Sequence, residues 1–251
     1  MNDPQRFEYV VRLGDNALVL GQRLGEWIGN GPELEEEMAM GNFALDYIGQ
    51  ARLFLSYAAE LEGAGRDEDQ LAFLRDQIDF RNVLLLEQPN GDFGQTIARQ
   101  FFFESYYVLF LEALTASSDK RLAEVAARGL KESAYHLRHA TQWMVRLGDG
   151  TEESHQRIQQ SVDELWRFTG EMFSGDEIDR WAVDNGVGPD PATLRPAWDT
   201  RVNEVLQTAT LTRPDNDWMH TGGKQGRHTE HLGYLLTEMQ FLQRAYPGAA
   251  W

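Results

Sequence analysis

Phe101-Phe102-Phe103-Glu104-Ser105-Tyr106-Tyr107-Val108 is apolar on almost every side once it is wound at about 100° per residue. Glu104 then shares a stripe with Ile97, Phe101, Val108 and Leu111. A helix that is hydrophobic all round sits at the centre of a fold. A carboxylate inside it needs a partner, a proton or a metal. This stretch therefore predicts a buried helix, from near Asp92 to about Ser117, in a bundle that holds acid groups.

Working outward, helix punctuation recurs on both sides. Asp15 is read as the cap of a first helix to about Ile28, stopped by Gly29-Asn30-Gly31-Pro32. Pro32 and the acids Glu33, Glu35, Glu36 and Glu37 suit the first turn of a second helix, which runs to about Glu62 before Gly63-Ala64-Gly65. A third helix is expected over 69–86, followed by a turn at Glu87-Gln88-Pro89-Asn90-Gly91. Ser118-Asp119 opens a fifth, ending at Gly148-Asp149-Gly150, and Thr151 caps a sixth through about Phe173. Residues 174–217 hold Pro189, Pro191, Pro196 and Pro214, a density that excludes one long helix and leaves short ones over 175–185 and 193–206. A last helix is expected from about Arg227 to Arg244. No segment shows strand alternation, so the class is all-α: a helical bundle in one domain over 1–251, with core helices at about 12–173 and additional C-terminal helices.

Composition narrows the function classes. The 251 residues include 13 Phe, 8 Tyr and 7 Trp, ample for a sizeable core. Asp plus Glu outnumber Lys plus Arg by 40 to 23, a formal charge of −17. Displacing counterions from phosphates needs the opposite balance, which argues against nucleic acid and against an anionic membrane surface. With no cysteine, disulfides and thiolate metal sites are excluded. The first dozen residues carry charges and no apolar run, and no stretch approaches the length of a spanning helix, so a cytoplasmic location is expected.

Three helices place acids on apolar faces. Besides Glu104, Asp46 lies beside Leu53 and Tyr57, and Glu132 shares a face with His136, His139, Val125 and Trp143. Di-metal bundle proteins use two Glu-x-x-His pairs and two single carboxylates, because the i, i+3 spacing aims carboxylate and imidazole at one point. Here the pairs become Asp46-x-x-Gly49 and Glu132-x-x-Tyr135. Glycine has no ligating side chain, a phenol stands where imidazole is needed, and His136 is one residue off register, about 100° around the helix. Glu104, Glu132 and His136 are read as a metal-free polar network, against the alternative of a weak metal site or an independent metalloenzyme using Asp46, Glu104, Glu132 and His136.

Elsewhere, His228-x-x-His231, with Glu230 and nearby His220, has the spacing of a chelate, but first-turn positions among polar residues favour capping and surface hydrogen bonds. The run from Asp217-Trp218-Met219-His220 to Gly226 lacks P-loop spacing and a preceding strand, and its Trp and Met suit a docking loop. Trp218, Met219, His220, His228 and His231 are thus interface candidates. No Cys nucleophile and no Gly-x-Ser-x-Gly elbow occurs.

Several segments together resemble a known family. They are Asp15–Trp27, Pro32–Ala51, Leu71–Gln100 with its EQPNGDF turn at 87–93, Leu130–Ser154, and Gly226–Gly248. Across about residues 8–248 the chain resembles the C subunits of bacterial 1,2-phenylacetyl-CoA epoxidases. That resemblance implies a ferritin-like fold and a structural, non-catalytic role, with no metal or cofactor on this chain. It implies a homologous catalytic A subunit that holds a di-iron site and binds the CoA thioester. It further implies an iron–sulfur flavoprotein reductase carrying FAD, which passes electrons from NADPH so that O2 can epoxidise the aromatic ring.

Overall fold

A computed structural model describes residues 3–216 and 218–249. Among these residues the chain is helical with no strand. It divides into two compact units, residues 1–89 with 222–251, and residues 90–221. The first unit opens with α1 (Pro4–Gly25), α2 (Leu34–Glu62), α3 (Glu68–Phe73) and the single turn α4 (Leu84–Glu87). The second comprises α5 (Phe93–Leu114), α6 (Lys120–Gly148), α7 (Glu152–Trp166), α8 (Glu177–Asp184) and α9 (Arg195–Thr208). The chain then returns to the first unit for α10 (Glu230–Met239) and α11 (Phe241–Ala245). None of these helices is long and apolar enough to cross a membrane.

Each unit is built on a hairpin of two long helices, α1 with α2 and α5 with α6. Short connections make such neighbours antiparallel. The caps follow the sequence closely in the second unit. Asp92 accepts from the Gln95 amide at 3.0 Å, Asp119 from Arg121 and Leu122, and Thr151 forms a capping box with Ser154. Each such side chain satisfies an amide that the first turn leaves open, worth about 1 kcal/mol. α5 is buried on nearly all sides from Gly94 to Tyr107. Phe102 meets Trp166 and Trp198, and the Trp198 indole donates to the Phe102 carbonyl at 2.9 Å. Fully burying each such ring contributes about 2 kcal/mol.

Three expectations for the first unit are corrected. Asp15 is no cap: α1 begins at Pro4, with Asp3 capping the Arg6 amide at 3.1 Å, and Asp15 lies fully buried in mid-helix. Arg75 grips its carboxylate with both terminal guanidinium nitrogens, and the Arg81 amide adds a bond at 2.8 Å. The helix expected over 69–86 is therefore broken. Side chains of α1 (Asp15, and Asn16 toward the Val83 amide at 2.9 Å) take up hydrogen bonds that a helix would make internally, and the chain turns to reach them. The last helix likewise splits at Gln240, whose amide donates to the Ala72 and Arg75 carbonyls at 3.1 and 3.0 Å.

Candidate functional site

In the second unit α5 and α6 bring Glu104 and His136 together. Glu104 Oε1 lies 3.1 Å from His136 Nδ1, and both side chains are fully buried. Gln100 precedes Glu104 by one turn on α5, and Ser133 precedes His136 by one turn on α6, both buried. Tyr107, on the next turn of α5, is also buried. Burial pushes its phenol pKa up, and the charges of Glu104 and Glu132 push the same way, so it stays a neutral hydroxyl.

The other positions lie differently. Glu132 is largely buried but pairs with Arg128 one turn away, at 3.3 Å. Tyr135 is 51 % exposed with Arg138 over its ring at 5.0 Å, and His139 is half-buried. The α6 face that meets α5 thus runs through Ser133 and His136, not through Tyr135. In the first unit, Asp46 and Gly49 are half-buried on the flank of α2, and a methyl added at Gly49 would meet nothing within 4 Å.

This donor set does not fit a di-metal centre. Gly49 offers no ligand, Tyr135 faces outward, and the Nδ1 of the buried imidazole is committed to Glu104. Among the described residues no group of three or more His, Asp or Glu is placed to hold a metal ion. What the Glu104–His136 arrangement can do is tie two central helices through a buried side-chain hydrogen bond.

The histidines near the C-terminus separate by unit. His220 belongs to the second unit, stacked on Phe168 at 4.7 Å and edge-on to Trp218 at 4.3 Å. Its pKa is lowered by burial and by the charge of Arg167. Met219 closes over Gly170, where an added Cβ would clash with it, and Trp218 is 60 % exposed. In the first unit, the expectation of surface bonding at His228 is overturned, because its side chain is fully buried. Nδ1 lies 2.8 Å from Glu87 Oε2 and Nε2 lies 2.9 Å from the Phe80 carbonyl. Oxygen acceptors at both nitrogens favour the doubly protonated ring. Burial alone would lower the His228 pKa, but the hydrogen bond to and charge of Glu87, with the Phe80 carbonyl and Asp15, raise it overall. His231 contributes its backbone carbonyl, accepting from Arg23 at 3.0 Å.

Glu87, assigned to a turn by the sequence, is the hub of that cluster. Besides His228 it accepts from Asn82 at 2.9 Å and from the amide and hydroxyl of Thr229 at 2.6 and 2.8 Å. The available signal was an acid directly after the apolar run Val83-Leu84-Leu85-Leu86.

Comparison with known proteins agrees with this architecture. The family described as phenylacetic acid catabolic protein matches residues 1–251. The chain is 54 % identical over 243 residues to the Escherichia coli (strain K12) protein named as the C subunit of 1,2-phenylacetyl-CoA epoxidase, covering 97 % of this chain and 98 % of that one. The chain belongs to the phenylacetic acid catabolic protein family, with the all-α, ferritin-like fold of that family.

Proposed function

We propose that this chain, as a single ferritin-like domain over residues 1–251, is a non-catalytic structural subunit of a 1,2-phenylacetyl-CoA epoxidase. The observation that carries the reading is its full-length likeness to a protein named as a subunit of that enzyme, in a chain whose central acid is occupied by His136. Chemistry then comes from a homologous catalytic A subunit holding a di-iron site. A reductase with FAD and an iron–sulfur cluster supplies it with electrons from NADPH. This chain carries no cofactor, stabilises the catalytic subunit, and works in the cytoplasm. Its strong negative charge suits a protein partner and opposes binding to nucleic acid or membrane. The test is turnover of phenylacetyl-CoA with reductase, NADPH and O2. This chain alone gives none, and with the catalytic subunit it gives activity that needs both. Activity from this chain alone, or full activity and stability of the catalytic subunit without it, would refute the reading.

A further inference from the structure

Two long helices of this chain, α5 and α2, carry apolar residues beyond the face that each packs, and the structure separates their uses. α5 is buried within the second unit. α2 instead turns apolar residues outward: Leu34, Met38 and Leu45 are 68, 61 and 70 % exposed, and Ile28, just beyond α1, is 65 % exposed. At 100° per residue Leu34, Met38, Gly41, Leu45 and Gly49 form one stripe of α2. With α1 the same face forms a groove of about 440 Å³ whose lining includes Gly25, Gly41 and Ile48.

The glycines are not required by this chain's own packing. A methyl at Gly25 or Gly49 would meet nothing within 4 Å, and one at Gly41 only ordinary contact with Ile28 at 3.8 Å. Glycine in mid-helix is unfavourable relative to alanine, so Gly41 and Gly49 keep the backbone bare at a cost to this chain. Between residues 26 and 51 there are six acids (Glu26, Glu33, Glu35, Glu36, Glu37, Asp46) and no Lys or Arg. Arg23 pairs with Glu26, and Arg52 stands at the far end of the same stripe, so the acidic rim is that of the N-terminal half, around Leu34 and Met38. Large apolar knobs, a bare floor and an acidic rim at one end are the features of a groove that takes an amphipathic helix with a basic flank.

We propose that the outward face of α2, with the adjoining end of α1, is the surface on which this chain receives a helix of the catalytic subunit, its apolar stripe over Leu45 and its Lys or Arg side chains against Glu33 and Glu35. This rests on the partnership stated above.

The experiment measures binding of the purified catalytic subunit to the full chain and its variants. Leu45→Asp should weaken the complex at least about 30-fold while leaving the thermal midpoint of the isolated chain in place. Gly41→Gln should raise that midpoint by about 1–4 °C yet weaken the complex, opposite signs that a merely structural glycine would not give. Charge reversal of Glu33 and Glu35 together (E33K/E35K) should slow association at low ionic strength, with the difference fading in high salt. Tyr234→Asp, at an exposed position of α10, is the control and should bind as wild type. If wild type binds and both Leu45→Asp and Gly41→Gln bind equally well, the groove assignment is wrong and the partnership stands. If wild type does not bind, the partnership fails and the assignment with it. If the chain alone self-associates and Leu45→Asp abolishes that, the occupant is a second copy and the proposal is overturned.

Discussion

Replacing Glu104 with alanine probes the centre of the second unit. Glu104 and His136 are both fully buried and 3.1 Å apart, so truncation strands an imidazole among Phe101, Tyr107 and the rest of the α5–α6 core. Breaking a buried pair by removing one partner costs about 3–5 kcal/mol, since the remaining group keeps its desolvation penalty. For a chain of this size that is a fall of about 6–20 °C in the thermal midpoint. Glu104→Gln retains an oxygen that can accept from Nδ1 and should cost only about 1–2 kcal/mol. The double variant with His136→Ala should cost less than the sum of the singles by about 0.5–3 kcal/mol, because the second removal relieves the first. Calorimetry or circular dichroism melts of the four proteins provide the cycle. A Glu104→Ala midpoint within about 1 °C of wild type would show that the pair does not hold the helices, and the assignment of a structural network would fail.

Other outcomes follow from the first unit and from the donor chemistry. Because the His228 pKa is raised by folding, its contribution is fully present below the unfolded value of about 6.5 and is lost as pH rises through the folded value. The midpoint difference between wild type and His228→Gln should therefore shrink in melts run from about pH 6 to about pH 9, and a difference that grows with pH would contradict the protonated clasp. Asp15→Ala removes the carboxylate that Arg75 and the Arg81 amide share and should cost about 3–5 kcal/mol in denaturant unfolding; a change under about 1 kcal/mol would show that the loop over 74–83 is held by something else. The chain purified aerobically by itself should carry below about 0.1 equivalent of iron by elemental analysis, since two of the imidazoles a di-iron site needs are absent.

Regular helices with strong punctuation were legible in advance. Asp92, Asp119 and Thr151 stand where the caps fall, and the prolines between 189 and 214 fragment that stretch as expected. The central position of Glu104 was also readable, because periodicity places an acid among aromatic residues, but a partner, a proton or a metal stayed open for it; of the network expected with Glu132 and His136, the structure has the His136 bond, while Glu132 pairs with Arg128. The polar ties of the first unit were not legible. Asp15 looks like a cap because acids favour caps, yet the apolar runs on both sides of it already carried the helix through. The breaks after Phe73 and at Gln240 depend on Arg75 pairing with the Asp15 carboxylate and on Asn16 and Gln240 bonding to backbone, all far away in sequence, which local propensity does not encode. Glu87 and His228 are 141 positions apart, and no spacing rule joins them. Tyr135 was placed inward by motif register, whereas the packing face of α6 runs one residue later through His136.

Whether this chain works as the structural partner of a catalytic subunit is decided by mixing the two. This chain and the homologous catalytic subunit, each purified alone, are combined, run on a sizing column, and assayed for phenylacetyl-CoA turnover with reductase, NADPH and O2. One stable species burying more than about 2,000 Å² in total is expected, with activity in that species and none in this chain alone. Separate elution of the two subunits, or turnover by this chain without its partner, would contradict this expectation.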